Sequence, residues 1–110
     1  MKAQDLLAIA QTHGEPTYVY DAAIIATQYK RLTEAFSKVP SLRINYACKA
    51  LSNISVLQFI KQLGSGLDTV SLQEVELGLQ AGFAPHEISF TPNGFALEEI
   101  ERVTQKGVQI

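Results

Sequence analysis

The chain reads as an α/β fold in which parallel strands alternate with helices. Three observations predict it. Strand-like runs at 42–48, 66–70 and 87–91 are each followed by a helical run, at 53–63, 72–82 and 96–106, and a fourth strand opens at 108. The repeat is roughly twenty residues, the size of one β/α unit with short connections. The punctuation agrees. Ser71-Leu72-Gln73-Glu74 is an S-x-x-E capping pattern, and Gly64, Gly82 and Gly107 stand where helices should stop. Alternation of this kind argues for a parallel sheet.

Taken in order, residues 3–12 form an amphipathic helix with Ala3, Leu6, Leu7 and Ala10 on one side, stopped at Gly14. Glu15-Pro16 breaks any continuation. Thr17 to Tyr20 is rich in β-branched and aromatic residues and reads as a strand. Asp21 suits an N-cap for a helix over 22–38, with Ile25, Tyr29, Leu32 and Phe36 as its apolar stripe and Val39-Pro40 as its end. In the next strand, Leu42, Ile44, Tyr46 and Cys48 alternate with Arg43, Asn45, Ala47 and Lys49, so one face is apolar and the other carries Lys49. Ser52 or Asn53 caps the following helix, whose apolar positions are Val56, Leu57, Ile60 and Leu63. In the second strand Gly66, Asp68 and Val70 share one face, and Leu67 and Thr69 the other. Asn93-Gly94 fits a turn after the third strand.

Composition narrows the function classes. With 46% hydrophobic and 18% charged residues, the chain has the make-up of an ordinary globular domain. A net charge of -2 offers no basic footprint for nucleic acid. No apolar run approaches a membrane span, and the start MKAQDLLAIA is too polar and brief for a signal peptide. A single cysteine, Cys48, makes no internal disulfide and fits a reducing cytoplasm.

Lys49 is the residue of most chemical interest. It stands at the carboxyl end of a strand, just before a loop into a helix, and in strand-helix barrels that end carries the chemistry. A partly shielded amine there can act as a nucleophile or Schiff-base former. The ordinary alternative is a solvated lysine at a strand end. Asp68 is costly inside a strand unless a cation or hydrogen-bond donor meets it, and Lys49 on the neighbouring strand is the natural candidate. Glu74 reads as the reciprocal member of a capping box on Ser71, at a helix start that faces the same end of the sheet. Gly64-Ser65-Gly66 looks like a phosphate loop but lies between a helix and the next strand, at the wrong end, and reads as a helix stop. Asn93-Gly94-Phe95 reads as a simple turn. His13 and His86 sit in loops without metal-ligand spacing, so no metal site is expected. Cys48 should be a buried apolar thiol.

The segments YACKALSN (46–53), GSGLDTVSLQEVELGLQAGF (64–83) and ISFTPNG (88–94) together resemble the start of the pyridoxal-phosphate enzymes of the alanine-racemase and ornithine-decarboxylase fold group. Within that group the chain is most similar to the diaminopimelate decarboxylase family, which usually reads YAxKAN, then GxDxxSxxE, then an Asn-Gly turn. The resemblance runs from HGEPTYVYD (13–21) onward. It implies that 21–110 is the first part of a pyridoxal-phosphate-binding (β/α)8 TIM barrel. It also implies that 1–20 is an N-terminal helix and strand that would pair with a carboxyl-terminal β-domain. A complete barrel needs about 250 residues, so this chain of 110 is expected to be an N-terminal fragment, inactive alone.

The implied activity is decarboxylation of meso-2,6-diaminopimelate to L-lysine by a cytoplasmic homodimer. Lys49 would hold pyridoxal 5′-phosphate as a Schiff base, and Asp68 and Glu74 would lie at the cofactor. The phosphate loop, the pyridine-nitrogen partner and the substrate clamps would lie beyond Ile110. One departure stands out: the usual KAN reads Lys49-Ala50-Leu51, with Asn53 following shortly. The rivals are a decarboxylase of the same fold acting on ornithine, arginine or a carboxylated polyamine such as carboxynorspermidine, and a non-catalytic pyridoxal-phosphate-binding protein.

Overall fold

The computed structural model describes residues 1–94 and 96–110. Two helices come first, α1 (Ala3–His13) and α2 (Ala22–Ala35). Three β/α units follow: β1 (Asn45–Ala47) with α3 (Ile54–Gln62), β2 (Gly66–Thr69) with α4 (Leu72–Gln80), and β3 (Ile88–Phe90) with α5 (Leu97–Gln105). Short 3-10 turns occupy Cys48–Ala50 and Pro85–Glu87. The strands form one parallel sheet in the order β1-β2-β3. The expected fourth strand begins as a single parallel bridge between Ser89 and Gln109, with the Phe90 amide donating to the Gln109 carbonyl at 2.7 Å.

Local chemistry sets the helix starts. Asp21 accepts from the amides of Ala23 and Ile24 at the head of α2. Asn53, rather than Ser52, caps α3 by accepting from Ser55 and Val56. Ser71 caps α4 through the Glu74 amide. Each such cap satisfies amide donors that the first helical turn leaves over, and is worth about 1 kcal/mol.

The core lies between one face of the sheet and helices α3 to α5. Leu67, Ile88 and Phe90 from the strands meet Leu57, Val75 and Val103 from the helices, all but fully buried. Burying each aliphatic or aromatic side chain stabilises the fold by roughly 1.5–3 kcal/mol. Thr69 points into the same core and satisfies its hydroxyl on the Ser89 carbonyl at 3.0 Å. Gly78 lets α4 approach closely, since a Cβ there would stand 2.5 Å from a Leu67 methyl and 3.1 Å from one of Ile88.

Several expectations change. The strand predicted over 42–48 is confined to 45–47, because β1 is an outer strand of this sheet whose ladder begins at the bond from the Gly66 amide to the Ile44 carbonyl. The helix predicted over 22–38 ends at Ala35, and turns carry the chain to Pro40. Residues 17–20 form no strand among the described residues. Composition alone suggested one, but a strand needs a ladder partner, and Tyr18 is 90% exposed. His13 is the last residue of α1 rather than a loop residue, and His86 lies in the second 3-10 turn. Between α2 and β1 runs an apolar groove of about 490 Å³, lined by Ile25, Tyr29, Leu32, Ile44 and Tyr46 among others. No helix among the described residues is long and apolar enough to cross a membrane.

Candidate functional site

Register decides which side chains share the face opposite the helices. Asn45 pairs with Gly66, Ala47 with Asp68, and Asp68 with Ser89. Paired residues in a sheet project to the same side. This inner face is therefore small or polar where the other is apolar. The Asn45 amide donates to the Ser89 hydroxyl at 3.1 Å, spanning from β1 to β3. Gly66 makes room for it, because a Cβ there would collide with the Asn45 side-chain oxygen.

Asp68 is half-buried near the carboxyl end of β2. Its carboxylate accepts from the Thr91 hydroxyl at 3.1 Å. That corrects the expectation that Lys49 would meet it: a neutral donor from the segment after β3 does so instead, and Lys49 forms no ion pair among the described residues. Strand alternation also stops short of Lys49. The ladder ends at Ala47, and Lys49 is the middle residue of the 3-10 turn Cys48–Ala50. Its side chain is exposed.

That turn is held firmly on both sides. Cys48 is completely buried in the core, as the sequence suggested. Burial pushes its thiol up to about 11, with the negative charge of Glu74 acting in the same direction. The thiol is thus protonated and inert near neutral pH. The Tyr46 hydroxyl donates to the Leu51 carbonyl at 3.2 Å, bridging the turn that carries Lys49. Burial, first, and neighbouring acidic groups raise the Tyr46 phenol above its ordinary range, so it stays a donor.

Glu74 takes the capping role, displaced by one residue. It sits at the third position of α4, and its carboxylate accepts from the Val70 amide at 2.8 Å. The capping box therefore closes one residue before Ser71, at the corner where β2 turns into α4. Ser65 is buried, and its hydroxyl lies 3.0 Å from the Ile44 carbonyl and 2.8 Å from that of Gly66, so Gly64-Ser65-Gly66 is a helix stop and strand entry. Gly94 has a φ of 77°, as a turn after β3 requires; the Phe95 part of that expected turn lies outside the described residues. Among the described residues, no three His, Cys, Asp or Glu side chains gather as a metal site.

Nothing in the sequence singles out Thr91 and Ser89, because strand alternation does not say which residues of two strands face each other. Asp68 faces Ser89, and Thr91 is two residues further along the same parity.

A parallel β/α sheet with a lysine on the turn after β1 and a carboxylate near the end of β2 is the opening of a (β/α)8 barrel, a fold class in which the strand carboxyl ends carry the chemistry. The model of the family described as pyridoxal-dependent decarboxylase, pyridoxal binding domain, matches residues 22–110. The chain belongs to that family. It is 37% identical over 107 residues to a diaminopimelate decarboxylase of Methanothermobacter thermautotrophicus, covering 96% of this chain and 25% of that protein. It is 41% identical over 103 residues to one of Pseudomonas fluorescens, covering 94% and 24%. Among solved structures, diaminopimelate decarboxylase of Helicobacter pylori in complex with L-lysine superimposes with a TM-score of 0.81 at 34% identity, over 97% of this chain and 26% of that one. The chain thus spans about a quarter of the length of the curated relatives it matches.

Proposed function

We propose that this chain is the N-terminal quarter of a diaminopimelate decarboxylase, which converts meso-2,6-diaminopimelate to L-lysine with pyridoxal 5′-phosphate. The observation that carries the reading is the placement of Lys49, an exposed amine in a pinned turn directly after β1, in a chain 37% identical to a relative of that name. The residues present suit the group. A primary amine can bond the cofactor's aldehyde, and the inner face beside it is lined by small or hydrogen-bonding side chains. When bound, pyridoxal phosphate supplies an electron sink for the pair left behind when carbon dioxide departs.

The chain's own residues have distinct parts in this reading. Lys49 holds the cofactor through its Nζ and is the one catalytic residue assigned. Asp68 lines the same end of the sheet with a fixed negative charge. Glu74 binds at the β2–α4 corner, with one carboxylate oxygen on Val70 and the other left for the site. Residues 1–20 would pair with a carboxyl-terminal β-domain, giving Thr17–Tyr20 the ladder partner it lacks. Homodimerisation and a cytoplasmic location belong to the same reading.

Borohydride reduction of the full-length holoprotein, followed by peptide mapping, tests the assignment. The phosphopyridoxyl label should fall on Lys49, and Lys49→Ala should abolish both the label and the cofactor's absorbance shift. A label on another lysine, such as Lys61, would sink the assignment.

A further inference from the structure

We propose that Thr91 is a positioning residue, whose hydroxyl fixes the Asp68 carboxylate on the inner face of the sheet beside the Lys49 turn. The inference rests on the cofactor assignment above and deepens it.

Thr91 lies one residue past β3, yet its backbone still follows the ladder: its amide donates to the Thr69 carbonyl at 2.9 Å. This holds Thr91 in place before its side chain does anything. Its hydroxyl has two acceptors within reach, Asp68 Oδ1 at 3.1 Å and the Thr69 carbonyl at 3.3 Å. The Thr69 carbonyl already takes the amide proton, and the carboxylate is charged and nearer. A hydroxyl proton goes to one acceptor at a time, and hydrogen bonds to charged groups are the stronger kind. The proton therefore belongs to Asp68.

From the other side, the Thr91 hydroxyl is the one hydrogen-bond donor to the Asp68 side chain among the described residues. A half-buried carboxylate with a single donor has one preferred orientation and loses it when that donor goes. Ala47, the register partner of Asp68 on the Lys49 side, is too small to restrain it. Thr91 thus restrains Asp68 from the β3 side. It touches neither Lys49 nor the reacting atoms in this role, and acts through Asp68.

The test uses the full-length protein stripped of cofactor. The readouts are the dissociation constant for pyridoxal 5′-phosphate, followed by absorbance, and the Tm of the stripped protein. Thr91→Val keeps the side-chain shape and removes the donor; it should weaken binding about tenfold, the size expected for one hydrogen bond to a charged group. Thr91→Ala should reproduce that loss should the valine variant fold poorly. Thr91→Ser keeps the hydroxyl and should restore binding to within about threefold of the parent on the same basis. In an Asp68→Ala background, Thr91→Val should have no further effect. Equal binding by the Val and parent proteins, a Ser variant as weak as Val, or a full Thr91 effect without Asp68 would each overturn the proposal. Lys49→Ala in parallel separates the two ideas. Loss of the absorbance shift there, with no Thr91 effect, rejects Thr91 alone, whereas retention of the shift rejects the cofactor assignment and this inference with it.

Discussion

The Tyr46 hydroxyl donates to the Leu51 carbonyl at 3.2 Å, across the turn that holds Lys49. The ring belongs to the helix-facing side of β1, while the bond it makes ends on the loop beyond the strand. One phenol therefore links the sheet to the segment on which the proposed chemistry depends. A site lysine on a turn needs such support, because looseness of an ångström in a reacting group is costly.

Tyr46→Phe removes that bond and nothing else of size. Stability should fall by about 0.5–1.5 kcal/mol, the usual net worth of one hydrogen bond. Amide exchange in residues 48–51 should accelerate by more than the global loss accounts for. Denaturant melts and hydrogen exchange on the full-length protein check both parts. Unchanged exchange in that segment would show that Cys48 and the Asn53 cap hold the turn without Tyr46.

The two readings of Glu74 separate by substitution. Glu74→Ala strips the acceptor from the Val70 amide and should cost about 1 kcal/mol, as loss of a helix cap does. Glu74→Gln keeps an acceptor oxygen and should melt within about 0.5 kcal/mol of the parent, the range of a tolerated substitution. If Glu74 also serves the cofactor, Gln should weaken pyridoxal-phosphate binding while leaving that melting point in place. Parent-like binding by the Gln variant would confine Glu74 to the corner.

Much of this arrangement was legible because its signals are local. Asp21, Asn53 and Ser71 each announce a helix by their own chemistry, and the alternation around Leu67 and Thr69 separates core from inner face without knowledge of any neighbour. The remainder needed partners. Thr17 to Tyr20 has strand composition, but composition supplies no ladder. Strand parity carried through Cys48 to Lys49 on paper, while the chain leaves strand geometry after Ala47. Asp68 was matched to Lys49 by charge, whereas its donor is a neutral hydroxyl on a third segment, visible only once Asp68 and Ser89 are in register. Near the departure at Leu51, Asn53 is engaged in capping α3.

Burial of Cys48 gives stability a distinct alkaline limb. Its thiol is raised from 9.0 to about 11 in the folded chain. Between those values the unfolded chain releases the proton while the folded one keeps it, so the folded state binds more protons and loses stability as pH rises. The contribution is full below about 9 and gone above about 11, a loss on the order of 2 kcal/mol by linkage. Tyr46, also raised, adds to the same limb at its upper end. Urea melts from pH 8 to 11.5 should show the decline, and Cys48→Ala should flatten it, although that variant starts from lower stability because of the cavity it leaves.

Gly66→Ala probes the inner face where three strands meet. A methyl group there would run into the Asn45 side-chain oxygen, lie 2.9 Å from Arg43 Nε and lie 3.0 Å from the Glu87 carbonyl. The first two are ends of side chains that can swing away; the third is backbone and can give little. Asn45 would have to leave, and its bond to Ser89 would go with it. Overpacking of this kind costs about 1–3 kcal/mol. The second substitution in Gly66→Ala/Asn45→Ala should recover part of that loss, because it clears the main obstruction. A double mutant as unstable as the sum of the singles would mean that the Glu87 carbonyl, and not Asn45, sets the limit on what β2 can carry at this position.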